Sequence, residues 1–120
     1  MASNELLTVI KGEQLSAVTF VQDYVQLHFD GPVLTAFTAP VVTAGNTALR
    51  WGEPGYRDML CGRIAHIVRD AFVEEGDQIR VEFDDDSVIS ISLRYEDFAE
   101  GQAEAATFAD DLRKRWEVWN

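Results

Sequence analysis

Cysteine is nearly absent from this 120-residue sequence, and Cys61 is the only one. A single cysteine excludes a disulfide within the chain and is typical of proteins in a reducing compartment. Long apolar runs are also missing, since no stretch approaches the roughly 18 residues of a membrane-spanning helix. The first residues, Met1 to Glu5, lack the basic and apolar regions of a secretory signal. We therefore expect a cytoplasmic protein with no membrane-inserted segment.

Basic residues are scarce. The chain has 10 Lys and Arg against 21 Asp and Glu, which gives a formal net charge of −11 at pH 7. Nucleic-acid phosphates and anionic lipids both require a basic protein surface. The sequence thus predicts neither a nucleic-acid partner nor a membrane partner, and an acidic surface of this kind favours a basic protein as partner.

Residues suited to catalysis or metal binding are few and badly spaced. The chain has two histidines, His28 and His66. Cys61 lies at a predicted helix end, whereas His66 and Asp70 lie on a predicted strand, about 13 Å apart at 3.3 Å per residue, which disfavours a shared metal site. The run Asp84-Asp85-Asp86 lacks the spacing of a calcium loop and is typical of a solvated turn. We predict a non-enzymatic protein with no cofactor and no metal.

An internal repeat is the clearest feature that the sequence does contain. The motif Ile10-x-Gly12-x-x-Leu15-x-x-Val18 recurs as Leu60-x-Gly62-x-x-Ala65-x-x-Val68. Each copy runs into an alternating segment that ends in Phe-Asp, at Phe29-Asp30 and at Phe83-Asp84. Self-similarity of this kind predicts a duplicated structural unit, here over about residues 3–38 and 54–94.

The repeat predicts an α+β fold within a single domain, 1–120. Each unit is expected to hold one helix that ends at Gly12 or Gly62, followed by a three-stranded antiparallel meander. The two meanders would form one curled sheet, a barrel-like pair of sheets, or a sheet that a second copy completes. Residues 38 to 55, rich in Thr, Ala, Gly and Pro, are expected to form a connector with at most one short strand.

The C-terminal segment 103–119 has two interpretations. Ala105, Phe108, Leu112, Trp116 and Trp119 recur at steps of three or four, which favours an amphipathic helix. Alternatively, Trp116 to Trp119 is a final strand and the basic triplet before it is a turn. We expect the helix.

Two surfaces are candidates for binding. Outward positions of the two matching strands would form a polar patch at the pseudo-twofold axis, made of Tyr24, Gln26, His28, Arg80 and Glu82.

The second candidate is an apolar pocket between the two units. Aromatic residues in and around the connector motivate it, namely Phe20, Phe37, Trp51 and Tyr56. Pockets for small ligands are typically lined by such side chains.

The repeated glycine motif and its alternating strands resemble small bacterial domains of unknown function, some of which are similar to immunity proteins of interbacterial toxin systems. The resemblance covers residues 10–95 and involves structural positions, so it implies no functional residue. It implies a small acidic protein that binds another protein.

Three hypotheses about function follow. The first is a non-enzymatic acidic interaction module, immunity-like in role, that binds a basic partner. The second is a small-ligand-binding protein that uses the apolar pocket. The third is a homodimer in which outward apolar residues such as Val33 and Phe37 complete the interface.

Overall fold

Ten β-strands and one short helix make up the computed structural model, which describes residues 7–120. The strands are β1 Ala17–Val21, β2 Tyr24–His28, β3 Val33–Ala36, β4 Val41–Ala44, β5 Thr47–Leu49, β6 Val68–Glu74, β7 Gln78–Phe83, β8 Val88–Ser92, β9 Ala106–Asp110 and β10 Arg115–Trp119. The helix α1 covers Tyr56–Cys61, and single 3₁₀ turns cover Thr8–Ile10 and Tyr95–Asp97.

The strands form two five-stranded antiparallel sheets. Sheet I has the order β1-β2-β3-β9-β10, and sheet II has the order β5-β4-β8-β7-β6. Each half of the chain begins with a meander, β1 to β3 or β6 to β8, and continues into a hairpin, β4–β5 or β9–β10. Each hairpin pairs with the meander of the other half, because β4 lies beside β8 and β9 lies beside β3. Both sheets are therefore built from both halves.

The predicted α+β class is wrong. Of the described residues, 45% lie in strands and only 11% in helices. The helix expected before Gly62 is limited to Tyr56–Cys61, and the described residues before Gly12 hold helical Leu7 followed by the 3₁₀ turn Thr8–Ile10. Its predicted start at Ser3 lies outside the described residues. Turns this short gain little from their own hydrogen bonds and depend on the packing of buried side chains such as Ile10 and Leu60.

The predicted C-terminal helix is also wrong, since 103–119 contains the β9–β10 hairpin. Ala106, Phe108 and Asp110 are buried at alternate positions, which is the period of a strand. The turn between the strands places Lys114 at a φ of 55°, in the left-handed region. The alternative interpretation, a strand to Trp119 after a basic turn, describes this segment.

The connector holds more structure than its composition indicates. Residues 38–55 include the hairpin β4–β5, whose turn contains Gly45 at a φ of 60°. A two-residue turn with positive φ suits the twist of a hairpin, and glycine adopts it without strain. The prediction of at most one short strand in this connector is therefore wrong, because β4 and β5 both lie in it.

One apolar core lies between the two sheets. The inward residues of β2, such as Leu27, and of β7, such as Ile79 and Val81, are fully buried in the same cluster. Phe29 and Phe83 occupy matching positions in the two repeat copies, and both are completely buried in this core. Since the inner faces meet at this core, the outward faces of sheets I and II point to opposite sides of the molecule.

The two repeat copies meet at a short backbone ladder. The Leu15 N–H donates to the His66 carbonyl at 3.1 Å, and the Ala65 N–H donates to the Leu15 carbonyl at 2.8 Å. Of the two glycines at the predicted helix ends, Gly12 has a left-handed φ of 84°, whereas Gly62 is helical at −64°. Ala65 is the residue near Gly62 with a positive φ, at 77°.

No helix within the described part of the chain is long and apolar enough to cross a membrane.

Candidate binding groove

A groove opens where β2 begins and β3 ends, against the segment that links β8 to β9. Its cavity volume is about 320 Å³. Four aromatic side chains contribute to its lining, those of Tyr24, Phe37, Trp51 and Phe98. Aromatic rings offer apolar area together with a face of negative potential, so such a lining suits apolar groups and cations alike.

An adjoining hollow of about 490 Å³ extends this groove along the same linking segment. The two cavities share Asp23 and Phe37, and the second adds Glu100 and Glu104. We call the combined feature the acidic-aromatic groove, defined by Asp23, Tyr24, Phe37, Trp51, Phe98, Glu100 and Glu104.

Hydrogen bonds hold the walls of this groove in place. The Tyr24 and Phe37 rings pack with their centres 5.5 Å apart. The Phe37 N–H donates to the Ala105 carbonyl at 2.9 Å. Gln102 organises the linking segment, because its amide nitrogen donates to Thr38 Oγ1 and to the Glu104 carbonyl, both at 2.8 Å, and its amide oxygen accepts from the Ala99 N–H at 2.9 Å. The groove is therefore preformed.

Trp51 stands at one end of the groove in a stack of aromatic rings. It lies 6.3 Å from Phe20 and 5.9 Å from Tyr56, measured between ring centres. The guanidinium of Arg57 lies over both Trp51 and Phe20. Trp51 is still 49% exposed, so much of its indole surface faces solvent.

Tyr56 supports this stack from inside the protein. Its hydroxyl donates to the buried Pro40 carbonyl at 2.5 Å, and burial raises the pKa of Tyr56 to about 12. The ring is almost fully buried. Of the predicted pocket residues, Phe37 and Trp51 line the groove, whereas Phe20 and Tyr56 lie behind Trp51.

The charge of the groove is negative. No basic side chain contributes to its lining, and no ion pair among residues 7–120 involves Asp23, Glu100 or Glu104. Asp97, at the rim, is different, because the Ser92 hydroxyl donates to it at 2.5 Å and Arg94 lies 3.1 Å away. The Ser92 hydrogen bond, followed by Arg94, lowers the pKa of Asp97.

The structure does not assemble the predicted polar patch. Tyr24, Gln26 and His28 lie on the outer face of sheet I, whereas Arg80 and Glu82 lie on the outer face of sheet II. Each group finds partners within its own sheet, as when Arg80 Nε donates to Glu82 at 2.7 Å or His28 Nε2 meets Thr19 Oγ1 at 3.2 Å. Tyr24 alone of the five lines the acidic-aromatic groove.

A histidine and two aspartates form a separate cluster that the sequence analysis missed. His66 Nδ1 lies 2.9 Å from Asp84 and Nε2 lies 3.7 Å from Asp85. The pairing of β6 with β7 brings these residues together. Val68 lies opposite Phe83, so the residue after Phe83 lies beside the segment that contains His66. Cys61 is not part of this cluster, and Asp70 pairs with Lys11 instead, at 3.7 Å.

Hydrogen bonds and the Arg63–Asp85 ion pair hold this cluster together. Its ligand-type atoms lie within 4.8 Å of one another, yet each carboxylate already accepts from a protein donor. Burial opposes the ionisation of Asp85 most strongly, but hydrogen bonds from Ser87 and Arg63 outweigh it and hold the pKa of Asp85 to about 2. Arg63 Nη1 lies 2.6 Å from the Asp85 carboxylate.

The groove residues that sequence analysis missed are Asp23, Phe98, Glu100 and Glu104. The acids around Phe98 were visible as a local group, but nothing local indicates that this segment faces Tyr24 and Phe37. Comparison of the chain with protein-family models, with curated protein sequences and with solved structures found no match.

Proposed function

We propose that this protein is a non-catalytic interaction module that holds a basic segment of a protein partner in its acidic-aromatic groove. One observation carries the proposal. Three acidic residues that form no ion pair within residues 7–120, Asp23, Glu100 and Glu104, line a groove together with aromatic residues, and no described Lys or Arg is among its lining residues. A partner that supplies the missing positive charge would complete these interactions.

Lysine and arginine side chains match this lining. Their charged ends pair with carboxylates, and their aliphatic stems pack against rings. The Trp51 indole already accepts one guanidinium, since Arg57 Cζ lies 5.3 Å from its centre. The net charge of −11 also raises the encounter rate with a basic partner.

Peptide binding tests the proposal directly. A short Arg/Lys peptide that carries one leucine is titrated into the protein by calorimetry, beside the same peptide with Gln at every basic position. The basic peptide should bind and the Gln peptide should not, and binding should weaken as salt is added because exposed charges are screened. Equal binding of the two peptides, or no binding of either, would reject the proposal.

Variants then assign binding to the groove. The triple change Asp23→Asn, Glu100→Gln and Glu104→Gln should weaken peptide binding by about tenfold, since each exposed ion pair is worth up to about 1 kcal/mol.

A matched control keeps the same change in net charge. Glu13→Gln, Asp30→Asn and Glu75→Gln remove three acids that lie outside the groove and outside every ion pair among residues 7–120. Binding by this control should stay within a factor of about two of the parent protein. Equal losses in both triples would show that net charge, not the groove, attracts the peptide.

A second candidate is a small-ligand-binding protein. The cavity of about 320 Å³ is at the small end of ligand pockets, which span about 300–1,000 Å³. Its four aromatic rings favour a small cation with apolar substituents, such as a quaternary ammonium ion. Saturable binding of such a cation, with no binding of the basic peptide, would favour this candidate.

An immunity-type role is one form of the main proposal, in which the basic partner is a toxin of an interbacterial system. A cytoplasmic location belongs to the same proposal, since a single cysteine suits a reducing compartment. Protection of cells that express the toxin, lost in the groove triple variant and kept in its control, would support this role.

A further inference from the structure

The outer face of sheet I carries no Asp, Glu, Lys or Arg, and His28 is its one titratable residue besides Tyr24. Its members are every second residue, beginning with Ala17 in β1, Tyr24 in β2, Val33 in β3, Thr107 in β9 and Trp116 in β10. The register places all of them on one side, and none is Asp, Glu, Lys or Arg. We call this surface the uncharged face.

Such a surface is unexpected in a chain that is 26% charged. The outer face of sheet II shows the contrast, because its β6 and β7 carry Asp70, Glu74, Arg80 and Glu82. The uncharged face also exposes apolar area, since Trp116 is 70% exposed on it. Aromatic residues are enriched in protein interfaces, so exposed Trp116 makes this face a candidate site of protein contact.

Opposite electrostatic features border the two ends of the uncharged face. At one end, Val21 and Tyr24 belong both to the face and to the lining of the acidic-aromatic groove. At the other end, beyond Trp116, lies the β9–β10 turn, which holds Arg113, Lys114 and Arg115 beside Asp110 and Asp111. Arg113 pairs with Asp110, so Lys114 and Arg115 outnumber the one remaining acid, Asp111. Both bases are exposed, and neither forms an ion pair within residues 7–120. Leu112, at the tip of the same turn, is 86% exposed.

These two features lie at diagonally opposite corners. Tyr24 is on the second strand of the sheet and Trp116 is on the fifth, about 14 Å away across the strands. Four residues of strand, about 13 Å, separate their rows along the strand direction. A twofold axis in the plane of the face therefore carries the basic turn of one copy to the acidic-aromatic groove of another, and the reverse contact forms at the same time.

We propose that a second copy of this chain docks on the uncharged face, so that Leu112, Lys114 and Arg115 of each copy enter the acidic-aromatic groove of the other. The inference rests on the proposed function, because it names the source of the basic segment that the groove holds. Charge supports this occupant. Two copies of net charge −11 repel wherever acidic surfaces meet, and the uncharged face lets them approach without like-charge contacts.

The size of the surface sets the expected strength. Five strands about 4.8 Å apart and five residues at about 3.3 Å each give roughly 400 Å² per copy before the turn and groove are added. Stable interfaces bury about 800 Å² per partner, so this dimer is at the weak end of specific complexes. It should dissociate on dilution.

Sedimentation velocity over a range of concentrations tests the inference. The parent protein should shift from monomer to dimer as concentration rises. The double variant Lys114→Glu, Arg115→Glu should need at least about tenfold more protein to dimerise, since two attractions become repulsions. Circular dichroism and thermal melting should match the parent, because both side chains are exposed.

A charge swap provides the decisive control. The groove variant Asp23→Lys, Glu100→Lys should be monomeric alone and should associate when mixed with the Lys114→Glu, Arg115→Glu variant. Restored association in the mixture supports the proposed contact. A parent protein that stays monomeric at every concentration, or a dimer that neither variant weakens, overturns it.

The same variants separate this inference from the proposed function. The Lys114→Glu, Arg115→Glu variant keeps its own groove, so it should still bind the Arg/Lys peptide. Peptide binding without self-association would overturn the dimer and leave the proposed function intact. If the parent protein neither binds the peptide nor associates with itself, the groove is rejected as a site for basic segments.

Discussion

The guanidinium of Arg57 lies 5.3 Å from the centre of the Trp51 ring and 5.9 Å from that of Phe20. Arg57 belongs to α1, Phe20 to sheet I, and Trp51 to the loop between β5 and α1. One cation thus joins three separate segments at the end of the acidic-aromatic groove. Together with the Phe20 and Tyr56 rings, this guanidinium packs against Trp51.

Arg57→Met should loosen Trp51 while it keeps a side chain of similar length. Exposed cation–π contacts contribute about 0.5–1 kcal/mol, so affinity for the Arg/Lys peptide should fall by about two- to fivefold. Calorimetry gives the affinity, and the emission of the tryptophan residues reports the change in exposure. Arg80→Met, on the outer face of sheet II, is the control and should change neither quantity.

Tyr56→Phe should destabilise the protein, because the buried Pro40 carbonyl loses its hydroxyl donor. The expected loss is about 1–2 kcal/mol in urea denaturation. Tyr24→Phe makes the same change at a half-buried tyrosine and is the matched control. Equal stability of the two variants would contradict a structural role for the Tyr56 hydroxyl.

Tyr56 also makes stability fall at high pH. Its pKa of about 12 in the folded protein exceeds the ordinary value of 10, so the fold favours the neutral, protonated hydroxyl. The resulting stabilisation is present below about pH 10 and disappears as the pH rises toward 12. Denaturation measured across this window should show a steeper decline in the parent protein than in Tyr56→Phe.

Asp85 should contribute to stability with the opposite sense of pH dependence. Its folded pKa of about 2 is below the ordinary value of 3.8, so the fold favours the carboxylate. The stabilisation is present above about pH 4 and is lost as the pH falls toward 2. Asp85→Asn should therefore lower stability at neutral pH and flatten the decline below pH 4, as measured by thermal melting. Glu75→Gln, in the β6–β7 turn, should leave the acid profile unchanged.

Two tryptophans of β10 should respond very differently to truncation. Trp119 is buried, so Trp119→Ala should cost about 3–5 kcal/mol of unfolding free energy. Trp116 is 70% exposed, and Trp116→Ala should stay within about 0.5 kcal/mol of the parent. Urea denaturation measures both, and similar losses at the two sites would contradict the β9–β10 hairpin.

Local patterns located several strands correctly. Alternating residues such as Val25 and Leu27, or Ile79 and Val81, point inward wherever a strand is half-buried, and a period of two is visible in a short window. At the C-terminus the helical period was preferred over the period of two, and that prediction was wrong. Phe108, Leu112, Trp116 and Trp119 fit a helical spacing, and the buried alternation of Ala106, Phe108 and Asp110 competes with it. Only packing against the core decides between the two periods.

The candidate site depended on contacts between distant parts of the chain. Phe37 and Trp51 were found because aromatic residues cluster in the connector, but Glu100 and Glu104 join Asp23 only through the linking segment that Gln102 organises. The polar patch failed for a related reason. A strand pattern indicates which side chains face outward, but it does not indicate whether two strands share a sheet.

The sequence by itself determined the acidic charge, the absence of an internal disulfide and the inward face of each central strand, because these follow from composition and from the local geometry of the backbone. Tertiary structure alone decided that each hairpin joins the sheet of the other half of the chain. It also decided that the outward residues of β2 and of β7 lie on opposite sides of the molecule, and that the outer face of sheet I runs from an acidic groove to a basic turn. Those relationships arise when two sheets bury one shared core, which is a balance over the whole chain that no local window contains.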